Sequence, residues 1–194
     1  MKQSQLSAGQ LIDGVELITH PQHIDHRGSF VEVFKGSWDF NFAPVQWSIV
    51  KSKAKVFRGM HYHNRHDEYF CLVSGIAIVG LKDLRPDSDS YLRSCIYELQ
   101  ADQISSVYFP HGVLHGWYFP VDSVHLQGVS ETYEDYSSDD NMGCFWGDQD
   151  LQIDWPFEDA ILSDRAAGFP SLRALMRSLG MSTEDLQVFS EDQS

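Results

Sequence analysis

The sequence predicts an all-β protein, an antiparallel sandwich or barrel, from three observations. Ten short β-type runs follow one another, each broken by Gly, Pro, Asp or Ser. No helical period intervenes between them, which excludes a parallel α/β sheet. Hydrophobic residues make up 42% and aromatics 13% of 194 residues, enough apolar material for the core of one domain.

In order, the runs are Val15–Ile18, Ser29–Phe34, Val45–Val50, Val56–His63, Glu68–Val73, Ala77–Leu81, Ser94–Leu99, Ser106–Phe109, Gly116–Phe119 and Val124–Ser130. One helix is expected beyond them. Leu172, Leu175, Met176 and Leu179 fall at i, i+3, i+4 and i+7 and form one apolar stripe. Ser171 is placed as its N-cap after Pro170, and Gly180 marks its end. Ser182 and Asp185 open a last short turn, and Glu191–Ser194 should fray. The reading is a single domain, with a barrel core over about 10–150 and a C-terminal arm and helix over about 151–190.

Net charge is −14, which opposes nonspecific attachment to nucleic acid or an anionic membrane face. A local arginine cluster can still hold a small anion, because screening acts over about 8 Å at physiological salt. No stretch approaches the roughly 20 apolar residues of a membrane span. The opening Met1–Leu6 lacks an apolar signal core, so a cytoplasmic location is expected. Cys71, Cys95 and Cys144 form no CxxC pair and read as reduced, the first two as small core residues.

Histidines concentrate in Phe57–His66. Strand alternation puts His61 and His63 on one side, with Arg58 on the other phase unless a bulge intervenes. Pro110 and Gly112 predict a tight turn that delivers His115 into the next strand. Ser130–Tyr136 is rich in acidic and phenolic groups. His111 and His125 read as incidental, Asp139 and Asp140 as a solvated loop, and His63 and His66 as polar loop residues.

Several motifs carry a resemblance: Asp25–Glu32 (DHRGSFVE), Arg58–Tyr62 (RGMHY), Asp83–Arg85 with Ser88, Pro110–Trp117 (PHGVLHGW), Trp155–Pro156 and Leu162–Ser163. In this order the chain resembles the dTDP-4-dehydrorhamnose 3,5-epimerase family from about Leu17 to Leu172. The resemblance implies a double-stranded β-helix (cupin, or jelly-roll) barrel and a cytoplasmic homodimer in dTDP-rhamnose and cell-wall polysaccharide biosynthesis. It implies a nucleotide-linked 4-keto-6-deoxyhexose as substrate and no cofactor, nucleic acid or membrane. In such enzymes a histidine removes the proton next to the ketone and a tyrosine on the other face returns one. His61 matches the base and Tyr136 the acid. Arg27, Glu32, Gln46, Arg58 and His115 match substrate-site positions, with Arg27 and Arg58 suited to pyrophosphate by their planar fork. Trp117 adjoins the expected pocket and would pack in the core or stack on a base or sugar.

Two positions depart from the family pattern. The aspartate that pairs with the base falls on Ala166, with Asp164 two positions early, and the active-site lysine falls on Glu68. Losing an oxyanion donor costs roughly 3–4 kcal/mol. Two other readings follow. His61, His63, Glu68 and His115 match the ligand pattern of metal-binding cupins, with donors suited to Zn, Fe, Mn or Ni. Alternatively, the chain binds a nucleotide sugar without turning it over.

Overall fold

The computed structural model describes residues 12–38, 42–136 and 140–186, with Tyr136 described by its backbone alone. The expectations for Met1–Leu6, Asp139 and Glu191–Ser194 lie outside these residues. Two five-stranded antiparallel sheets face each other, in the orders β1-β9-β6-β11-β4 and β12-β5-β10-β7-β8. The strands are β1 Glu16–Thr19, β4 Gln46–Ser52, β5 Val56–Tyr62, β6 Glu68–Ser74, β7 Ile76–Asp83, β8 Ser94–Gln100, β9 Ser105–Phe109, β10 Val113–Phe119, β11 Ser123–Val129 and β12 Met142–Gly143. A separate hairpin pairs β2 Gln22–Asp25 with β3 Gly28–Val31. This is an antiparallel sandwich, as the strand pattern predicts, and the double-stranded β-helix that the family resemblance implies. The ten expected runs lack β2 and β12, and the run at Ser29–Phe34 leaves the sheet after Val31.

Period-two alternation decides what each strand faces. Phe70, Leu72, Val79, Leu81, Val107, Phe109, Val113, Trp117 and Phe119 point between the sheets and form the barrel interior. The odd positions of β10 therefore deliver His115 inward, next to Trp117. On the outer face of the second sheet, Phe57, Ile78, Leu114 and Tyr118 meet the C-terminal arm. Trp155 of the arm lies against Gly80 of β7, where a Cβ would come within 2.3 Å of the indole.

The arm ends in α3, Leu172–Ser178, capped by Ser171, whose hydroxyl accepts from Ala174 N. Leu172, Leu175 and Met176 are buried; each buried side chain of this size contributes about 1.5–3 kcal/mol. Gly180 follows in the left-handed region at φ 73°. Two four-residue helices have no counterpart in the sequence reading: α1 Tyr133–Tyr136 and α2 Asp164–Ala167. All three cysteines are free and buried. No described helix is long and apolar enough to cross a membrane.

Candidate active site

β5 carries the first functional side chains, and its irregularity decides where they point. Opposite it on β10, His115 pairs with His61 and Trp117 with Arg58. Three steps along β5 thus face two along β10. This is a β-bulge, and it falls on Gly59, whose φ is 135°. Strict alternation would set Arg58 and His61 on opposite faces. The bulge returns both to one wall of a cavity of about 330 Å³, shared with Val50, Trp117, Gln127 and Ala166.

His61 is half-buried there, its ring 6.0 Å from that of His115 and 5.9 Å from that of Phe169. Burial first, then the imidazoles of His115 and His63, lowers its pKa to about 3, so the ring is neutral at neutral pH. Arg58 donates from Nε to Ser52 Oγ at 2.9 Å and from Nη2 to the Lys51 carbonyl at 3.3 Å. Ala166 stands in the same wall. Asp164 is exposed at the start of α2 and does not line the cavity.

Beside this cavity lies a buried cluster around Glu68, at the start of β6. His63 Nε2 and His66 Nε2 lie 3.3 and 3.5 Å from Glu68 Oε1, and His115 Nε2 lies 3.4 Å from Oε2. Gln127 Nε2 donates to both carboxylate oxygens at 3.1 Å. Burial alone would raise the Glu68 pKa, but His115, His63 and His66 outweigh it and hold it well below the ordinary carboxylate value. Burial likewise depresses His63, yet Glu68 and then Asp140 turn the net shift upward.

Asp140 organises the loop between β5 and β6. It accepts from the backbone N–H groups of Asn64, Arg65 and His66 and from His66 Nδ1 at 2.8 Å. It is fully buried, which corrects the solvated loop expected at this position. His63 and His66 are buried too, at 4% and 1% exposure, and are not polar loop residues. The cluster differs from the expected set: donor atoms of His63, His66 and Glu68 lie within 4.8 Å of one another, and neither His61 nor His115 is among them. Sequence reasoning missed the part His66 plays here because the partner that anchors it, Asp140, is 74 residues away.

Arg27, Glu32 and Gln46 do not line this cavity. Arg27 is 79% exposed at the tip of the β2–β3 hairpin and paired with Asp25 at 2.6 Å. Glu32 pairs with Lys35 at 2.6 Å and lines a different cavity, with His20 and Trp38. Gln46 Oε1 accepts from Tyr133 N at 3.0 Å, which ties β4 to the start of α1. Tyr136 closes α1, and its side chain lies outside the described residues. Trp117 is 2% exposed and packs in the barrel interior, stacked on His115 at 5.5 Å. His111 is exposed and pairs with Asp67. His125 is buried against Phe70 and Phe119.

The chain was compared with known proteins. A family model described as dTDP-4-dehydrorhamnose 3,5-epimerase matches residues 10–174. The spore coat polysaccharide biosynthesis protein SpsL of Bacillus subtilis is 30% identical over 152 residues, 76% of this chain and 99% of that protein. The dTDP-4-dehydrorhamnose 3,5-epimerase of Shigella flexneri is 29% identical over 150 residues, 73% of this chain and 81% of that one. Among solved structures, the Mycobacterium tuberculosis rmlC epimerase superposes over all of both chains, with a TM-score of 0.77 and 26% identity. ChmJ, a 3'-monoepimerase from Streptomyces bikiniensis in complex with dTDP-quinovose, superposes over 95% of this chain and 96% of that one, with a TM-score of 0.79 and 25% identity.

Proposed function

Because this chain belongs to the dTDP-4-dehydrorhamnose 3,5-epimerase family, we propose that it is an isomerase that epimerises a nucleotide-linked 4-keto-6-deoxyhexose. One observation carries this reading: the bulge at Gly59 that puts the His61 imidazole and the Arg58 guanidinium on one cavity wall.

The proton next to a ketone is acidic because its loss gives an enolate. Its removal needs a neutral base within hydrogen-bond reach. In this proposal His61 is that base, and Arg58 offers a charged donor to the anionic end of the substrate. Tyr136, which closes α1 after β11, returns a proton from the opposite face. Gln46 positions α1 through its bond to Tyr133. Arg27 and Glu32 act beyond this cavity, in a homodimer. Ile24 and Phe30 on the hairpin and Ile49 on edge strand β4 are 76%, 63% and 70% exposed, apolar surface that a second copy would cover. Light scattering at micromolar concentration should give twice the monomer mass.

Hydrogen exchange tests the reaction itself. The protein is incubated in D₂O with dTDP-4-keto-6-deoxyglucose, and NMR follows deuterium at C3 and C5. Incorporation at one or both carbons is expected. Saturable binding with no incorporation would replace this proposal with a non-catalytic nucleotide-sugar binder.

A further inference from the structure

We infer that His63, His66 and Glu68 bind one divalent transition-metal ion such as Zn²⁺ inside the barrel, with His115 facing the second oxygen of the Glu68 carboxylate. Neither the epimerase reading nor His61 is needed for this inference.

The hydrogen bonds on the far side of each ring fix its tautomer. His63 Nδ1 meets the Asp140 carbonyl and His115 Nδ1 the Val113 carbonyl. A carbonyl can only accept, so Nδ1 carries the proton in both rings. His66 Nδ1 meets the Asp140 carboxylate, which already accepts three backbone N–H groups. In the neutral tautomer all three rings therefore present a basic Nε2 to Glu68. A metal-bound imidazole is held in this way, its second nitrogen donating to a carbonyl or carboxylate. Gln127 supports the carboxylate ligand by donating to both Glu68 oxygens.

Distances separate a metal from a set of protons. Imidazolium–carboxylate hydrogen bonds close to about 2.7–2.9 Å. Two ligand atoms on a tetrahedral ion, each about 2.0–2.1 Å from it, stand about 3.3–3.4 Å apart. His63 Nε2 and His66 Nε2 stand 3.3 and 3.5 Å from the same oxygen, Glu68 Oε1, close to a tetrahedral edge and longer than such a hydrogen bond, and His115 Nε2 stands 3.4 Å from the other oxygen, Oε2. His115 Nε2, 1% exposed, makes no hydrogen bond among the described residues. Two imidazoles and one carboxylate form a mixed nitrogen and oxygen set suited to Zn²⁺, Fe²⁺, Mn²⁺ or Ni²⁺. His63, His66 and Glu68 are buried, so the ion would tie β6 to the β5–β6 loop.

The full chain is stripped with a chelator, dialysed and titrated with Co²⁺, read by its visible d–d absorption, and then with Zn²⁺ in competition. One equivalent of Co²⁺ with tetrahedral bands, displaced by Zn²⁺, is expected. Glu68→Gln and His66→Ala should each weaken binding by about 100-fold or more, and His61→Ala by less than about threefold. Gln127→Leu leaves every ligand in place and should cost about 10–100-fold, which keeps the test open if a ligand variant fails to fold. Folded protein that takes up no Co²⁺ or Zn²⁺ would overturn the site. Metal lost in His61→Ala but kept in His66→Ala would overturn this ligand set.

Discussion

Gly59 and Gly116 face each other across β5 and β10 so closely that a Cβ on Gly59 would lie 2.5 Å from Gly116 Cα. This contact sets the bulge that brings Arg58 and His61 to one wall. Gly59→Ala meets backbone atoms on a residue at φ 135°, where a side chain is strained. It should cost about 2–4 kcal/mol. Urea unfolding should show the loss, and nucleotide-sugar binding should weaken with it.

The Asp83 carboxylate is fully buried and accepts from Arg85 N, Nε and Nη2 and from the hydroxyls of Ser88 and Ser90. Burial would raise its pKa, but these donors, Arg85 first, outweigh it and depress the value below 3.8. A depressed carboxylate binds fewer protons folded than unfolded. Its stabilisation is therefore complete above about pH 4 and falls away as the pH drops through the folded pKa. Unfolding free energy measured from pH 6 to pH 2 should show this loss. Asp83→Asn should remove about 3–5 kcal/mol at pH 7 and flatten that part of the acid limb.

Arg58 is half-buried in the cavity wall, held at Nε by Ser52. A hydrogen bond to a charged group is worth about 1.5–3 kcal/mol. Arg58→Ala should weaken dTDP binding by roughly 10–100-fold in calorimetry, and Arg58→Lys should recover only part of it because the fork is lost.

Ala166 shares the wall with His61. Ala166→Asp would place a carboxylate there, which favours the charged imidazole formed as the proton leaves carbon. Deuterium incorporation should rise by about tenfold, equivalent to about 1.4 kcal/mol. A rate unchanged or lowered in a folded variant would show that the wall position does not reach the base.

The strands were legible because alternation and turn residues are local signals. The stripe at Leu172, Leu175 and Met176 and the Ser171 cap gave α3 for the same reason. A glycine inside a strand pattern marks a bulge or a close backbone approach, and Gly59 is both. Its consequence for Arg58 needed the β10 register, which local sequence does not contain. Asp140 looked like a loop acid because its partners, Asn64, Arg65 and His66, lie 74–76 residues earlier. The same long-range contact selects His66 over His61 in the buried cluster. The β2–β3 hairpin was missed at Gln22–Asp25, where His23, Ile24 and Asp25 are exposed and the alternation that marks a half-buried strand is weak.

The most direct test compares binding with exchange in His61→Asn. The substitution keeps a polar side chain of similar size and removes the base. Exchange at C3 and C5 should fall by at least about 100-fold, while dTDP affinity stays within about threefold of the unmodified protein. A His61→Asn protein that exchanges as fast as the parent would contradict the account.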